Sequence, residues 1–263
     1  MGIEKYFKKR PYAIKLVRFF RQTVLQYLPN NPLSFIKNYL SYIVDLIKYS
    51  RMSKERIKII ELYPCIYAKD KQAGNVASYF YQDTWLAKKM FEKKPDQHID
   101  VGSTVLLVGI LSQFTKVISV DINSIKSHLP GLTPIKGSVL KMPFKDNEIG
   151  SLSSLCVLEH IGLGRYGDKL DPSGTDKAIK EIKRVMAPNG DLYISVPIER
   201  ENKVYFNAHR VFELDSFILK FEGFSLVELK FAKGDGIHDR SEYHDLYLLR
   251  DSTFGLFHFC KKA

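Results

Sequence analysis

The sequence predicts an α/β fold: a doubly wound, seven-stranded, mostly parallel sheet with an antiparallel edge hairpin, preceded by N-terminal helices. Three observations predict it. Beyond Pro95, short apolar runs of strand length alternate with helix-length segments, the pattern of parallel crossovers. A glycine loop closes the first of these runs, and Asp121 follows 19 residues after Gly102. That spacing holds a loop, a helix and a second strand. Residues 1–60 carry thirteen Lys and Arg against three Asp and Glu, so nearly all of the net charge of +11 lies in a separate segment.

Along the chain, the apolar residues of Tyr12–Leu28 recur at helical spacing, and Pro29-Asn30-Asn31-Pro32 forces a turn. A second helix is expected from Ser34 to about Met52, and a third from Ser53 to Leu62. The expected division is a basic helical segment over 1–62 and the main domain over 63–263. Strands are expected at His98–Val101, Val117–Val120, Thr133–Lys136, Ser151–Val157, Leu192–Pro197, Leu226–Phe231 and Gly255–Cys260. Thr104–Gln113 reads as the first crossover helix. Asp176–Met186 reads as a later one, stopped by Ala187-Pro188-Asn189-Gly190. The last two strands, with the polar loop Lys233–Tyr243 between them, suggest the edge hairpin.

An apolar content of 45% with 26% charged residues suits a globular chain. Cys65, Cys156 and Cys260 are far apart, without metal-ligand spacing, and their odd number fits a reducing cytoplasm. Lys15, Arg18 and Arg21 interrupt the stretch a signal peptide would keep apolar. No uncharged apolar run approaches the length of a membrane span, and Tyr6 stands where a myristoylation signal wants Ser or Thr. The basic segment has three readings. It is a helical cap with solvated charges, a surface for anionic lipid or a lipid-linked substrate at the inner membrane face, or a nucleic-acid contact, for which no recognised motif is present.

In an open α/β sheet, ligands bind beyond the carboxyl ends of the strands at the switch point. A nucleoside cofactor needs a glycine where backbone approaches it and a carboxylate for the ribose hydroxyls. Two glycines compete. Gly109, in Val105-Leu106-Leu107-Val108-Gly109, leaves only 12 residues before Asp121, too few for a helix and a strand. Gly102 leaves room for both. The expected cofactor set is therefore Asp100, Gly102 and Ser103 at the first strand end, and Asp121 with Ile122 at the second. The segments Gly137–Phe144 and Leu155–Ile161, by their resemblance to a known cofactor-binding family, imply Ser138 and Val139 at the third strand end and Cys156 at the fourth.

Five ordered segments resemble S-adenosylmethionine-dependent methyltransferases of class I. They are Asp100-Val101-Gly102-Ser103, Asp121 at the second strand end, Gly137-Ser138-Val139-Leu140-Lys141-Met142-Pro143-Phe144, Leu155-Cys156-Val157-Leu158-Glu159-His160-Ile161, and Glu181 through Pro197. The resemblance implies a Rossmann-like fold and S-adenosylmethionine as cofactor. Two departures stand out. Ser138 replaces an Asp that faces adenine in the family, so recognition leans on the Val139 backbone. Asn189 replaces the first glycine of a Pro-Gly-Gly turn, which Asn tolerates because it enters left-handed conformations. More narrowly, Ser151-Leu152-Ser153-Ser154-Leu155 and Leu158-Glu159-His160-Ile161-Gly162-Leu163-Gly164-Arg165-Tyr166-Gly167-Asp168 resemble a methyltransferase-like branch long known only as a domain of unknown function. Tyr79 through Trp85 and Phe206-Asn207-Ala208-His209-Arg210 belong to the same likeness. It implies no substrate.

Methyl transfer is an in-line displacement that needs alignment and, for a hydroxyl acceptor, a base. His160, at the fourth strand end, is the first candidate, since a near-neutral imidazole suits the task. The other reading is that Glu159-His160 orders the following loop. His209 is the second candidate base. Arg165, Tyr166 and Asp168 in the Gly162–Gly174 loop, together with Arg210, are candidate substrate-binding residues. Arg165 reads equally as an internal salt-bridge partner, and His209-Arg210 as a contact at the start of a helix over Val211–Phe221. Tyr81, Gln82, Asp83 and Trp85 read as a lid or as packing. No metal site is expected, although His238 and His244 flank an acidic loop.

Three functions follow. The first is O-methylation of a sugar or surface-glycan intermediate, the product of a polar, Arg-containing acceptor loop and a basic N-terminus suited to lipid-linked glycans. The second is methylation of a nitrogen or phosphate-type group on a small metabolite. The third is a non-catalytic cofactor-binding scaffold, to which Ser138 and Asn189 point.

Overall fold

The structure is a computed structural model describing residues 32–52, 78–206, 208–233, 236–242 and 253–263. The chain divides into two compact units, 1–75 and 76–263, where the sequence reading placed the boundary after residue 62. The helices expected over Tyr12–Leu28 and Ser53–Leu62 lie outside the described residues. In the first unit, α1 spans Pro32–Met52. Among the described residues no helix is long and apolar enough to cross a membrane.

The second unit begins with α2 (Ser78–Lys93) and continues through β1 (Gln97–Val101), α3 (Val105–Leu111), β2 (Lys116–Asp121), β3 (Leu132–Lys136) and β4 (Ile149–Leu155). Next come α4 (Gly174–Val185), β5 (Met186–Glu199), β6 (Lys203–Tyr205), β7 (His209–Glu213) and α5 (Leu214–Leu219). It ends with β8 (Phe224–Lys233), β9 (Gly236–Asp239) and β10 (Thr253–Lys261). The sheet runs β3-β2-β1-β4-β5-β10-β8-β9, and its first five strands are parallel. The order reverses between β1 and β4, which opens a crevice beyond their carboxyl ends.

Helices cover both faces. On one, Ile179, Ile182 and Val185 of α4 and Phe217 of α5 pack on Ile99, Leu152 and Ile194. On the other, Trp85, Leu86 and Met90 of α2 join Leu107 and Leu111 of α3 over Val117 and Tyr193. Sandwiching the central strands buries both of their sides, so that β4 is buried along nearly its whole length, its serines Ser151, Ser153 and Ser154 included. Where a turn was expected at Ala187-Pro188-Asn189-Gly190, β5 already runs from Met186, and Asn189 takes a left-handed conformation, φ +61°, at the irregularity in its pairing with β4.

Three expectations need correction. Among the described residues the sheet has ten strands rather than seven. The helix expected from Val211 begins at Leu214, because His209–Glu213 forms β7, parallel to the end of β5 and antiparallel to β6. Val211 and Phe212 are buried in that pairing, and Glu213 caps the shortened helix by accepting from the amides of Asp215 and Ser216. The edge hairpin is β8 with β9, while β10 lies inside the sheet, antiparallel to both β5 and β8.

Candidate active site

The carboxyl end of β1 turns sharply at Gly102, whose φ is +71°. Its amide donates to the Val120 carbonyl at 3.0 Å, tying the loop to β2. A Cβ here would stand 3.1 Å from a Val157 methyl, so glycine meets both a conformational and a steric demand. Gly109, by contrast, lies inside α3, where a Cβ would make only an ordinary contact with Leu129.

Asp100 and Ser103 build this loop from beneath. Both carboxylate oxygens of the buried Asp100 are engaged, one accepting from the Ser103 amide at 3.2 Å and the other from the Ser153 hydroxyl at 2.5 Å. Burial outweighs these bonds and pushes the carboxyl up to about 6. His98, equally buried, bridges the Ser151 and Ser153 hydroxyls and is held neutral, its imidazole pushed down to about 3 by desolvation. The Ser103 hydroxyl accepts from the Leu155 amide, pinning the loop to β4.

A pocket of about 310 Å³ opens above this loop, lined by Gly102, Asp121, Ile122, Ser138, Val139 and Cys156 on one side. His160, after β4, and Tyr166 and Asp168, in the Gly162–Gly174 loop, complete the lining. Six of the eight expected cofactor residues thus share one cavity. The other two, Asp100 and Ser103, are not among its lining. Asp121 ends β2 and accepts from the Asn123 amide at 2.6 Å, which fixes its carboxylate at the rim. The Ser138 hydroxyl accepts from Leu140 N–H.

Cys156 sits in a left-handed conformation at φ +55°, and its thiol donates to Gln82 Oε1 at 3.0 Å. The Ser195 hydroxyl donates to the same oxygen at 2.8 Å. Burial pushes the thiol well above its ordinary value, so it stays protonated. Gln82 comes from α2, as does Asp83, which accepts from the Thr104 hydroxyl at the start of α3. The residues read as a lid therefore form the first turns of a helix fastened to the cofactor loop. Trp85 packs against Tyr193 and donates to Glu228.

Beside the Gly162–Gly174 loop, His160 Nδ1 lies 2.7 Å from the Ala208 carbonyl. A carbonyl only accepts, so Nδ1 carries the proton and Nε2 keeps its lone pair. Burial pushes this imidazole down to about 4. Glu159, alongside, is fully buried and pushed up to about 8 by desolvation. Its Oε1 is 3.7 Å from His160 Nε2, and its Oε2 has no partner among the described residues. Tyr166 meets the His160 ring edge-on at 5.5 Å. The Arg165 guanidinium lies over Tyr166 and donates to the Ala208 carbonyl at 3.0 Å. Asp168 accepts from the amides of Gly162 and Tyr166, setting the curve of the loop.

His209 is 6.4 Å from His160, ring to ring, and stands outside the pocket lining. Burial also lowers its imidazole. Arg210 is turned into the protein: its guanidinium donates to the Ile161 carbonyl at 2.6 Å, and its amide donates to the Glu159 carbonyl at 2.8 Å. It thereby holds the start of the Gly162–Gly174 loop from behind. Among the described residues, no group of three or more His, Cys, Asp and Glu is arranged to hold a metal; His244 lies outside them.

Solved structures share this architecture. The chain resembles the (4+2)-cyclase SpnF at 14% identity and a TM-score of 0.51, over 73% of this chain and 85% of that one. It resembles Burkholderia thailandensis 1,6-didemethyltoxoflavin-N1-methyltransferase, solved with its substrate and S-adenosylhomocysteine, at 11% identity and the same TM-score, over 89% of this chain and 92% of that one. The fold is one that this cyclase and this methyltransferase share. A protein family described as a Caenorhabditis protein of unknown function, DUF268, matches residues 116–238, which include the whole Gly162–Gly174 loop. No curated protein matches the chain by sequence.

Proposed function

We infer that this chain is an S-adenosylmethionine-dependent methyltransferase that transfers a methyl group to a hydroxyl of a polar acceptor, in its specific form a sugar or surface-glycan intermediate. One observation carries the reading. A single pocket joins a glycine turn and a strand-end carboxylate, Gly102 and Asp121, to an imidazole with a free Nε2, that of His160. Its volume of about 310 Å³ falls in the range of small-molecule sites.

The residues fit the cofactor. The cradle at Gly102 is one a Cβ would fill, Asp121 would accept from the ribose hydroxyls, and Ser138 and Val139 would meet the adenine. When bound, S-adenosylmethionine supplies an electrophilic methyl group. The chain's own residues hold the acceptor hydroxyl in line with it, and His160 Nε2 takes the hydroxyl proton. Because burial keeps His160 unprotonated, that lone pair is available at neutral pH. Tyr166 and Asp168 give the mouth a polar edge, which suits a hydroxylated acceptor. Arg165, exposed beside them, equips it for an acidic group.

Calorimetry with S-adenosylmethionine and S-adenosylhomocysteine tests the cofactor. Wild type should bind both, and Asp121→Ala should weaken binding by roughly 10- to 100-fold, the loss of charged hydrogen bonds. Failure of wild type to bind either, or an Asp121→Ala variant that binds equally well, sinks the assignment. Release of S-adenosylhomocysteine in the presence of sugars, nucleotide sugars and lipid-linked oligosaccharides tests the acceptor. Turnover with amine or phosphate acceptors instead would move the reading to another methylated atom.

A further inference from the structure

We propose that α1 is an interfacial helix that docks on an anionic bilayer surface. The proposal is independent of the reaction assigned to the pocket. It rests on how α1 distributes its side chains. Ile36, Leu40, Val44 and Ile47 are 54%, 59%, 48% and 44% exposed. Their spacing of four, four and three residues places them within about 80° of arc on one face of a helix. A stripe of four large apolar groups along a helix about 31 Å long is costly to leave in water, and such faces mark interaction sites.

The charges select the partner. Lys37 and Lys48 are exposed along one border of the stripe, and Arg51 is exposed at its C-terminal end. Asp45, the one acidic residue of α1, falls outside the arc of the stripe. The same bias extends through the sequence around it, with thirteen Lys and Arg against three Asp and Glu over residues 1–60. A face meant for a second copy of itself would bring these cations together and repel. A phosphate-bearing lipid surface neutralises them while the apolar stripe enters the acyl boundary. With no helix long and apolar enough to span among the described residues, α1 would lie in the interface plane.

The test is co-sedimentation of the full chain with large unilamellar vesicles of phosphatidylcholine alone and of phosphatidylcholine with phosphatidylglycerol. Binding to the anionic vesicles should be at least about tenfold tighter, and should weaken on raising salt from about 0.05 M to about 0.5 M. The variant Leu40→Asp/Val44→Asp/Ile47→Asp should lose binding by at least about tenfold, while Lys37→Glu/Lys48→Glu should lose the preference for anionic lipid. A circular dichroism spectrum and melting curve like those of wild type confirm that each variant is folded. Three results overturn the proposal: equal or absent binding to both vesicle types, unchanged binding by the triple variant, or a wild-type dimer in solution that the triple variant converts to monomer.

Discussion

The imidazole of His160 is bolted by Nδ1–H to the carbonyl of Ala208, at 2.7 Å, so its free lone pair, on Nε2, belongs to the pocket-lining ring. The two residues are 48 positions apart in the chain, and the bond fixes a tautomer that no local sequence feature announces. If His160 is the base, replacing it with Ala should lower kcat by roughly 10²- to 10⁴-fold. Cofactor affinity by calorimetry should change little. Because burial lowers this imidazole to about 4, the activity of wild type should show no limb near pH 6.5 from His160. A limb there that vanishes in the Ala variant would show a solvated, ordinary histidine instead.

Gly102 and Gly109 offer a matched pair. Gly102→Ala forces a side chain into a left-handed position against Val157, and should cost about 1–3 kcal/mol of stability. Gly109→Ala adds a methyl to a helix where its nearest contact is Leu129 at 3.9 Å, and should add about 0.5–1 kcal/mol. Opposite shifts in melting temperature are expected. Equal shifts would mean that the turn at the end of β1 is not as described.

Glu159 gives stability a pH dependence whose sign can be worked out. Its folded carboxyl is raised from 4.5 to about 8, so between those values the folded state holds a proton that the unfolded state has released. Stability then falls as pH rises through that window. His160 and His98 act oppositely below pH 6.5, where the unfolded imidazoles bind protons that the folded ones refuse. Glu159→Gln removes the first effect and leaves the others. Urea unfolding at pH 5 and pH 8 should therefore show the variant gaining on wild type as pH rises. A constant difference between the two would contradict a protonated Glu159.

Arg210 holds two neighbouring carbonyls at once, its amide donating to that of Glu159 and its guanidinium to that of Ile161. Arg210→Leu leaves the Ile161 carbonyl short of a donor and should cost about 1–3 kcal/mol. Because the acceptor loop loses its prop, KM for the acceptor should rise while cofactor affinity stays within about twofold of wild type. A selective loss of affinity only for anionic acceptors would instead make Arg210 a direct ligand.

Much of the cofactor half was legible along the chain. Spacing alone selected Gly102 over Gly109, because a helix and a strand need a minimum of residues before Asp121. Asn189 could be read as a left-handed residue, because backbone preference is a property of the residue itself. The parallel half of the sheet followed from alternating strands and helices, and the cover of α4 from its apolar spacing.

What the linear order could not decide was settled by pairing across distance. His209–Glu213 carries a pattern compatible with either a helix or a strand, and the exposed end of β5 made it β7. Gln82 meets Ser195 across 113 residues, and Arg210 meets Ile161 across 49, so their side chains are engaged by the interior. Asp100 likewise belongs under the loop, where Ser153 and Ser103 occupy both of its oxygens. The division has a physical cause: period and backbone preference act over one turn or one strand, whereas a buried polar group takes whichever partner the folded chain brings within 3 Å or so.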